Sequence, residues 1–379
     1  MHGPFTLLVN DANGNTLTAL DTERIDNLSI STQEPGGCLE CSFRFHISIR
    51  TVPYFLGANY DLRVIDHEGC FWRGRLERVD AVRTQNAEWW DITAVGYGAA
   101  LSDQHLPSTN LQNTVTTTGI TDTLTYAAAI LSQVTHSIEA SGVTLTNTAA
   151  ITRAWDTPAE RINFLKRFGY SDNSQMLAHI YPHEQSAWPQ LTVKKRSTTA
   201  EYTMYLADAT GRFGFDFANY ANRVDVVYNN GASNTTRNDT AGQGISPDGV
   251  NIIKSQLVSI PEITNATDAA AAGDAVLAHA KRLRMDAREL RVSGRPIILD
   301  ANGQSVGPWR VRAGKVLQLL DLVPAGLSNI EWNNSMLITR TVWDDTSQVL
   351  SITPENAESG IDALVARARN ASEAGSRIV

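Results

Sequence analysis

Residues 38–50 read CLECSFRFHISIR, and their alternation restricts the folds that can contain them. Leu39, Cys41, Phe43, Phe45, Ile47 and Ile49 share one parity; Glu40, Ser42, Arg44, His46, Ser48 and Arg50 share the other. Successive side chains on a strand point to opposite faces, so the segment reads as one long strand with an apolar and a wet face. Cys38 and Cys41 then fall on opposite faces, with no turn between them to build a two-cysteine chelate. Together with His67 and Cys70 they make a possible zinc set, but the strand pattern favours three buried or half-buried thiols in a sheet. Three cysteines cannot all pair within one chain, which suits a reducing compartment or an assembly built inside a cell.

The first hundred residues continue this texture. Phe5 to Val9 leads into Asp11-Ala12-Asn13-Gly14, and Asn-Gly between apolar runs is a hairpin signal. A calcium loop fails here, because the glycine falls fourth and no glutamate holds the twelfth place. Tyr60–Asp66, Phe71–Val82 and Trp89–Tyr97 follow as strands, and a parity slip between Leu76 and Val79 predicts a bulge. Short alternating strands at this spacing indicate a small antiparallel barrel or sandwich over residues 1–105.

Residues 106–205 read as an inserted α+β domain. Leu124–Val134 fits helix or strand. In WDTPAERINFLKRFGY, Thr157 is an N-cap, Pro158 the first helical position and Glu160 the partner of a capping box, with Gly169 as the stop. Strands are expected at Gln175–Tyr181 and Gln190–Lys195. Residues 206–355 read as a second barrel. It holds a strand at Arg223–Tyr228, a polar surface loop over Asn229–Gly249 and a long helix over Thr267–Glu289, whose basic end, KRLRMDAR, complements the helix dipole. Residues 356–379 form a tail, as a short Ala-rich helix or a disordered end.

The end of the chain echoes its beginning. Asp300-Ala301-Asn302-Gly303 repeats the tetrapeptide at Asp11, and GKVLQLLD (Gly314–Asp321) resembles ANYDLRVID (Ala58–Asp66). Ile338–Thr353 and Arg75–Thr93 are both hairpins that close on Ile-Thr. Their shared order makes a duplicated barrel the natural reading. The fold class is therefore β-rich α+β: two similar antiparallel β-barrel domains, an inserted α+β domain and a further helical segment.

The search for chemistry nominates no catalytic, cofactor-binding or metal-ligating residue, and no cofactor. Nucleophile elbow, P-loop, dinucleotide fingerprint and zinc-protease helix are all missing from the sequence. His179 and His183 are four apart, but Pro182 lies between them in a strand-like context. Asp344-Asp345 suits a turn, Trp89-Trp90 a core ring beside an exposed one, and Arg73 and Arg75 cross-strand pairing with carboxylates. A net charge of −8 argues against a dedicated nucleic-acid binder. The N-terminus shows no secretory signal, and no window approaches the ~20 apolar residues of a membrane helix.

In order along the chain, GGCLECSFRFHI, YDLRVIDHEGCFWRGRLERV, DITAVGYGAALSD, ANRVDVVYNN and the Ala-rich helix before a β ending resemble the tail hub proteins of long-tailed bacteriophages. These are the baseplate hub of contractile tails and the hub portion of siphophage tail-associated proteins. The resemblance implies a homotrimer whose two barrels per chain make a ring of six similar units. Such a ring joins a sixfold tail tube or distal tail protein above to threefold tip, spike or fibre proteins below, around a channel for tape measure protein and DNA. It also implies a place in the virion tail tip after assembly in the host cytoplasm, with no membrane insertion and no enzyme activity. Unlike longer family members, this sequence stops soon after the second barrel. The rival readings are a tube-like or connector protein in hexameric rings, and a carbohydrate-active or peptidoglycan-degrading enzyme using Trp89, Trp90 and Trp188 as platforms.

Overall fold

The computed structural model describes residues 5–103 (except 12, 13, 51, 52 and 58), 135–138, 157, 159, 176–183, 189–215, 221–239 (except 230), 253–260, 266–280, 284–321 (except 295) and 331–355 (except 333). The helix expected after Thr157, the segment Leu124–Val134, Trp188 and the tail after residue 355 lie outside them.

The first half is seven strands: β1 (Thr6–Asn10), β2 (Thr16–Ala19), β3 (Ile25–Gln33), β4 (Gly36–Phe45), β5 (Asp61–Asp66), β6 (Gly69–Arg83) and β7 (Glu88–Gly96). They pair antiparallel in the order β2-β1-β5-β6-β7-β4-β3. Strand β4 alternates as expected from Cys41 to Phe45. It stops at Phe45, short of Ile49, because its partner β3 begins opposite, with Ile25 against Phe45. Ile47 and Ile49 still pack on the core after the ladder ends. A second departure is at Leu39. Ser31 pairs Glu40 and Thr32 pairs Cys38, so Leu39 is a bulge, and Cys38 turns inward beside Cys41 instead of facing away from it.

Strands β8 (Thr135–Ile138), β9 (Met176–Tyr181) and β10 (Gln190–Lys195) follow, with β10 between the other two. Their link to the first half is a short parallel pairing of Gly36 with His179 and Gly37 with Ile180. A Cβ on Gly37 would stand 2.1 Å from the Ile180 carbonyl oxygen, so only glycine admits this approach.

The second half contains β11 (Tyr202–Tyr205), β12 (Ala209–Phe215), β16 (Arg284–Ser293), β17 (Ile298–Asp300), β18 (Val316–Leu320), β19 (Glu331–Trp332), β20 (Ser335–Asp344) and β21 (Val349–Pro354). Apart from the short β19, the order is β17-β11-β18-β20-β21-β16-β12. Between β12 and β16 the chain leaves to form β13 (Arg223–Tyr228), β14 (Ser233–Asn238), β15 (Ser255–Ile260) and helix α1 (Ala266–Ala280). These make a three-stranded sheet, β14-β13-β15, whose core joins Val224, Val226 and Val258 to Ala269, Val276 and Leu277.

Two expectations are corrected here. Residues 233–238, expected in a polar loop, are strand β14, because Ser-Asn-Thr-Thr-Arg-Asn pairs along its length with β13 and only one of its faces is covered. The expected helix through Glu289 ends at Ala280, and Arg284–Ser293 is a strand. Flanked by β12 and β21, that segment completes two ladders and buries Leu290 and Val292, a tertiary gain that overrides helix propensity. Arg284 and Arg288 of the basic run therefore lie on a strand, and the dipole argument does not apply to them.

The repeats seen in the sequence match in strand register and in backbone hydrogen bonding. Strand β6 bulges between Leu76 and Arg78, and β20 bulges between Ile338 and Arg340. Leu76 N–H donates to Tyr60 O at 2.7 Å, and Ile338 N–H donates to Lys315 O at 2.9 Å. Asn59 N–H returns to Leu76 O, as Gly314 N–H returns to Ile338 O. Both turn residues have positive φ, 62° at Asn59 and 78° at Gly314. The DANG tetrapeptides match as well: Gly14 N–H donates to Asp11 O and Gly303 N–H to Asp300 O, both at 3.0 Å. Equivalence thus reaches single backbone hydrogen bonds. Each half also contains one long strand, β6 or β20, that trades partners midway, which is how a sheet turns a corner.

Candidate functional site: an assembly seam

The two halves join edge to edge. Strand β3 lies antiparallel to β20, with Gln33 opposite Arg340, Thr32 opposite Thr341, Ile30 opposite Trp343 and Ser29 opposite Asp344. β20 already holds β21 on its other edge, so the seam makes one continuous sheet of both halves. Thr32 and Thr341 are buried and their Oγ1 atoms are 2.6 Å apart. Ala313 N–H also donates to Thr32 Oγ1 at 2.9 Å, and Tyr181 OH donates to Ala313 O at 2.8 Å.

A second clamp lies beside the seam. Arg310 donates through Nε and Nη2 to the two oxygens of Asp66, with Nε to Oδ2 at 2.6 Å. Trp309 Nε1–H donates to Asp66 Oδ2 at 2.8 Å, while its ring packs edge-on against Phe5 and Trp343. Burial alone would raise the Asp66 carboxyl, but the Arg310 and Trp309 hydrogen bonds outweigh it and hold it below the usual range. Asp66, the last residue of an expected strand, and Glu68 therefore tie the first half to Arg310 of the second.

Within the first half, Asp61 is 1% exposed and gathers four partners. Arg73 donates from Nε (2.8 Å) and Nη2 (2.9 Å), Asn10 Nδ2 is at 2.8 Å, Arg63 Nε at 3.0 Å and Tyr97 OH at 2.9 Å. Burial pushes this carboxyl up, and the Arg73 hydrogen bonds and charge, aided by Asn10 and Arg63, reverse the shift to well below the ordinary value. Arg73 pairs across the strands with Asp61 as expected, although it is buried, whereas Arg75 pairs with Glu77 of its own strand and with Asp103 beyond β7. The equivalent of Asp61 in the second half is Val316, which is 2% exposed, so the halves fill the same place with different chemistry.

The remaining sequence candidates are dispersed. His179 on β9 is buried, 3.5 Å from Glu34 Oε2, and burial lowers its pKa despite that carboxylate; His183 is exposed beyond the strand end. Trp90 is buried, and Trp89 is half-buried beneath the Arg44 guanidinium at 4.3 Å. Asp344 accepts from the Thr346 N–H at 2.9 Å in the β20–β21 turn. Among the described residues, no group of three or more His, Cys, Asp or Glu is gathered to hold a metal. No helix among them is long and apolar enough to cross a membrane.

Known structures share this architecture along nearly the whole chain. The 43 kDa tail protein of prophage MuSo2 from Shewanella oneidensis superposes with a TM-score of 0.60 at 12% identity, over 95% of this chain and 98% of that one. The fold is that of phage tail proteins. A tail protein from Neisseria meningitidis matches with a TM-score of 0.56 at 10% identity, over 95% and 99% of the two chains. Prophage tail protein gp18 from Listeria monocytogenes gives 0.54 at 12%, over 96% and 99%. No protein-family model matches the sequence, and no curated protein is detectably similar to it.

Proposed function

We propose that this chain is a structural tail-hub protein that forms a trimeric ring at a phage tail tip. The observation that carries the reading is the duplication in register within a tail-protein fold: two equivalent halves per chain turn three chains into six similar units. That is what a joint between a sixfold tube and a threefold tip requires. The partners expected are a tail tube or distal tail protein on one side, spike or fibre proteins on the other, and tape measure protein and DNA in the channel. The buried carboxylates at Asp61 and Asp66 are each held by arginines, which suits a structural role for them rather than acid–base chemistry. An acidic channel wall, suggested by the net charge of −8, would let DNA pass without sticking.

Light scattering over a concentration series tests this reading. A species of three chain masses is expected, and six-chain rings would move the protein to a tube-like component. Turnover of peptidoglycan or glycans by the purified protein would replace the structural reading with an enzymatic one.

A further inference from the structure

Applying the internal duplication to the seam itself yields a contact that a single chain cannot make. The seam joins β3 of the first half to the distal part of β20 in the second. By register, the equivalent of β3 is β12, since both flank a strand (β4 or β16) that pairs with the matching hairpin strand β7 or β21. The equivalent of β20 is β6. Among the described residues β12 pairs only with β16, and β6 beyond Arg75 pairs only with β7. Both edges are thus open where their counterparts are covered.

Burial records the same asymmetry. Ser31 and Thr32 of β3 are 6% and 5% exposed, and Thr341 and Trp343 of β20 are 3% each. Their counterparts on the open edges are less covered: Thr341 and Trp343 correspond to half-buried Val79 and exposed Ala81, and buried Ile30 and half-buried Ser29 of β3 correspond to half-buried Phe213 and exposed Arg212 of β12. Unpaired edges of this length invite a further strand unless they are blocked.

We infer that β12 of one copy adds antiparallel to residues 78–82 of β6 in a second copy, reproducing the β3–β20 seam between chains. The occupant is a second copy because the chain already makes this pairing with its own equivalent edge. The contact is head-to-tail, so it closes into a ring when the rotation closes. The inference rests on the ring reading above and names the surface that would close it. Transferring the seam register through the aligned bulges sets Arg212 opposite Val82, Phe213 opposite Ala81, Gly214 opposite Asp80 and Phe215 opposite Val79. Arg212 then lies diagonal to Asp80 on one face, a favourable cross-strand pair. The positions of Phe213 and Ala81 match those of Ile30 and Trp343, both buried in the intact seam.

Opposed residues of an antiparallel pair have Cα atoms ~4.5–5.5 Å apart, within reach of a disulfide. Arg212→Cys with Val82→Cys in one chain, under mild oxidation, is therefore expected to give a covalent dimer and trimer ladder. Neither single variant should do so. Ala81→Lys, at an exposed position that should not disturb folding, is expected to abolish the oligomer while circular dichroism and thermal unfolding of the monomer stay unchanged. A trimer that forms, resists Ala81→Lys and gives no ladder overturns this contact but leaves the ring reading standing. A chain that remains monomeric at every concentration and never cross-links overturns both.

Discussion

Arg310 and Asp66 are 244 residues apart in sequence, yet Arg310 Nε lies 2.6 Å from Asp66 Oδ2 and the two guanidinium donors grip both carboxylate oxygens. The carboxylate is fully covered and the guanidinium nearly so, at 0% and 14% side-chain exposure. The pair contributes more to specificity than to net stability, because desolvating two charges costs about what their attraction returns. It tells the second half where to dock on the first.

Removing one partner exposes that logic. Arg310→Met keeps the aliphatic stem but strands a buried carboxylate, so a loss of about 3 kcal/mol is expected, the low end for such a break because Trp309 and the Glu68 N–H still donate to Asp66. Urea unfolding midpoints measure it. The double variant Arg310→Met with Asp66→Asn should recover part of the loss, and a double variant no more stable than the single would show that the charge is not what hurts.

Acid should weaken the fold in a defined window. The folded-state carboxyls of Asp61, Asp66 and Glu201 are all depressed by their cationic partners, Arg73, Arg310 and Lys315, against the upward push of burial. A depressed carboxyl contributes stability that is present above its unfolded value, 3.8 for Asp and 4.5 for Glu, and is lost as pH falls through the folded value. Melting temperature should thus be flat above about pH 5 and drop steadily below about pH 4. Asp61→Asn should be less stable at neutral pH and flatten the acid limb; an unchanged limb would place the titration elsewhere.

Much of this fold is legible locally. Alternation found β4, β5, β7, β10 and β13, and the Leu76 parity slip found the β6 bulge, because period and bulge are short-range properties. The repeats of DANG and of the strand ending in Asp were enough to find the duplication. What stayed hidden depends on distant partners. Nothing near Arg284 announces that β12 and β21 will flank it, and nothing in GPWRVRAG announces that Arg310 will find Asp66. Leu39 looked like an ordinary inward residue, and only the pairing with Ser31 and Thr32 reveals its bulge and turns Cys38 inward. Among the described residues β12 pairs only with β16, and such an open edge cannot be read from letters because it depends on the whole fold.

The inward turn of Cys38 makes a prediction about thiols. Burial pushes Cys38 up to about 12 and Cys41 further still, and half-buried Cys70 is raised to about 11. Thiolate is the reactive form, so a colourless thiol reagent at pH 8 should label native Cys38 and Cys41 only at the rate of global opening, with Cys70 reacting first. All three should react promptly in denaturant. Fast labelling of Cys38 in the native protein would mean that its side chain faces outward, as an unbroken strand would have required.

The two equivalent turns should differ in how far they tolerate substitution. Asn59 and Gly314 share positive φ and the same pair of backbone hydrogen bonds, but their surroundings differ. A Cβ on Gly314 would stand 3.0 Å from His179 Nδ1 and 3.1 Å from Glu34 Oε2, both held in the buried contact that docks β9. Gly314→Ala therefore combines left-handed backbone strain of about 1–2 kcal/mol with crowding of a packed polar pair, and a total loss above about 2 kcal/mol is expected. Asn59→Gly relieves mild strain in the folded chain but loosens the unfolded one, so the two effects offset to within about 0.5 kcal/mol. Chemical unfolding of both variants separates them, and a Gly314→Ala protein as stable as the parent would mean that the His179 side of this turn is not packed as described.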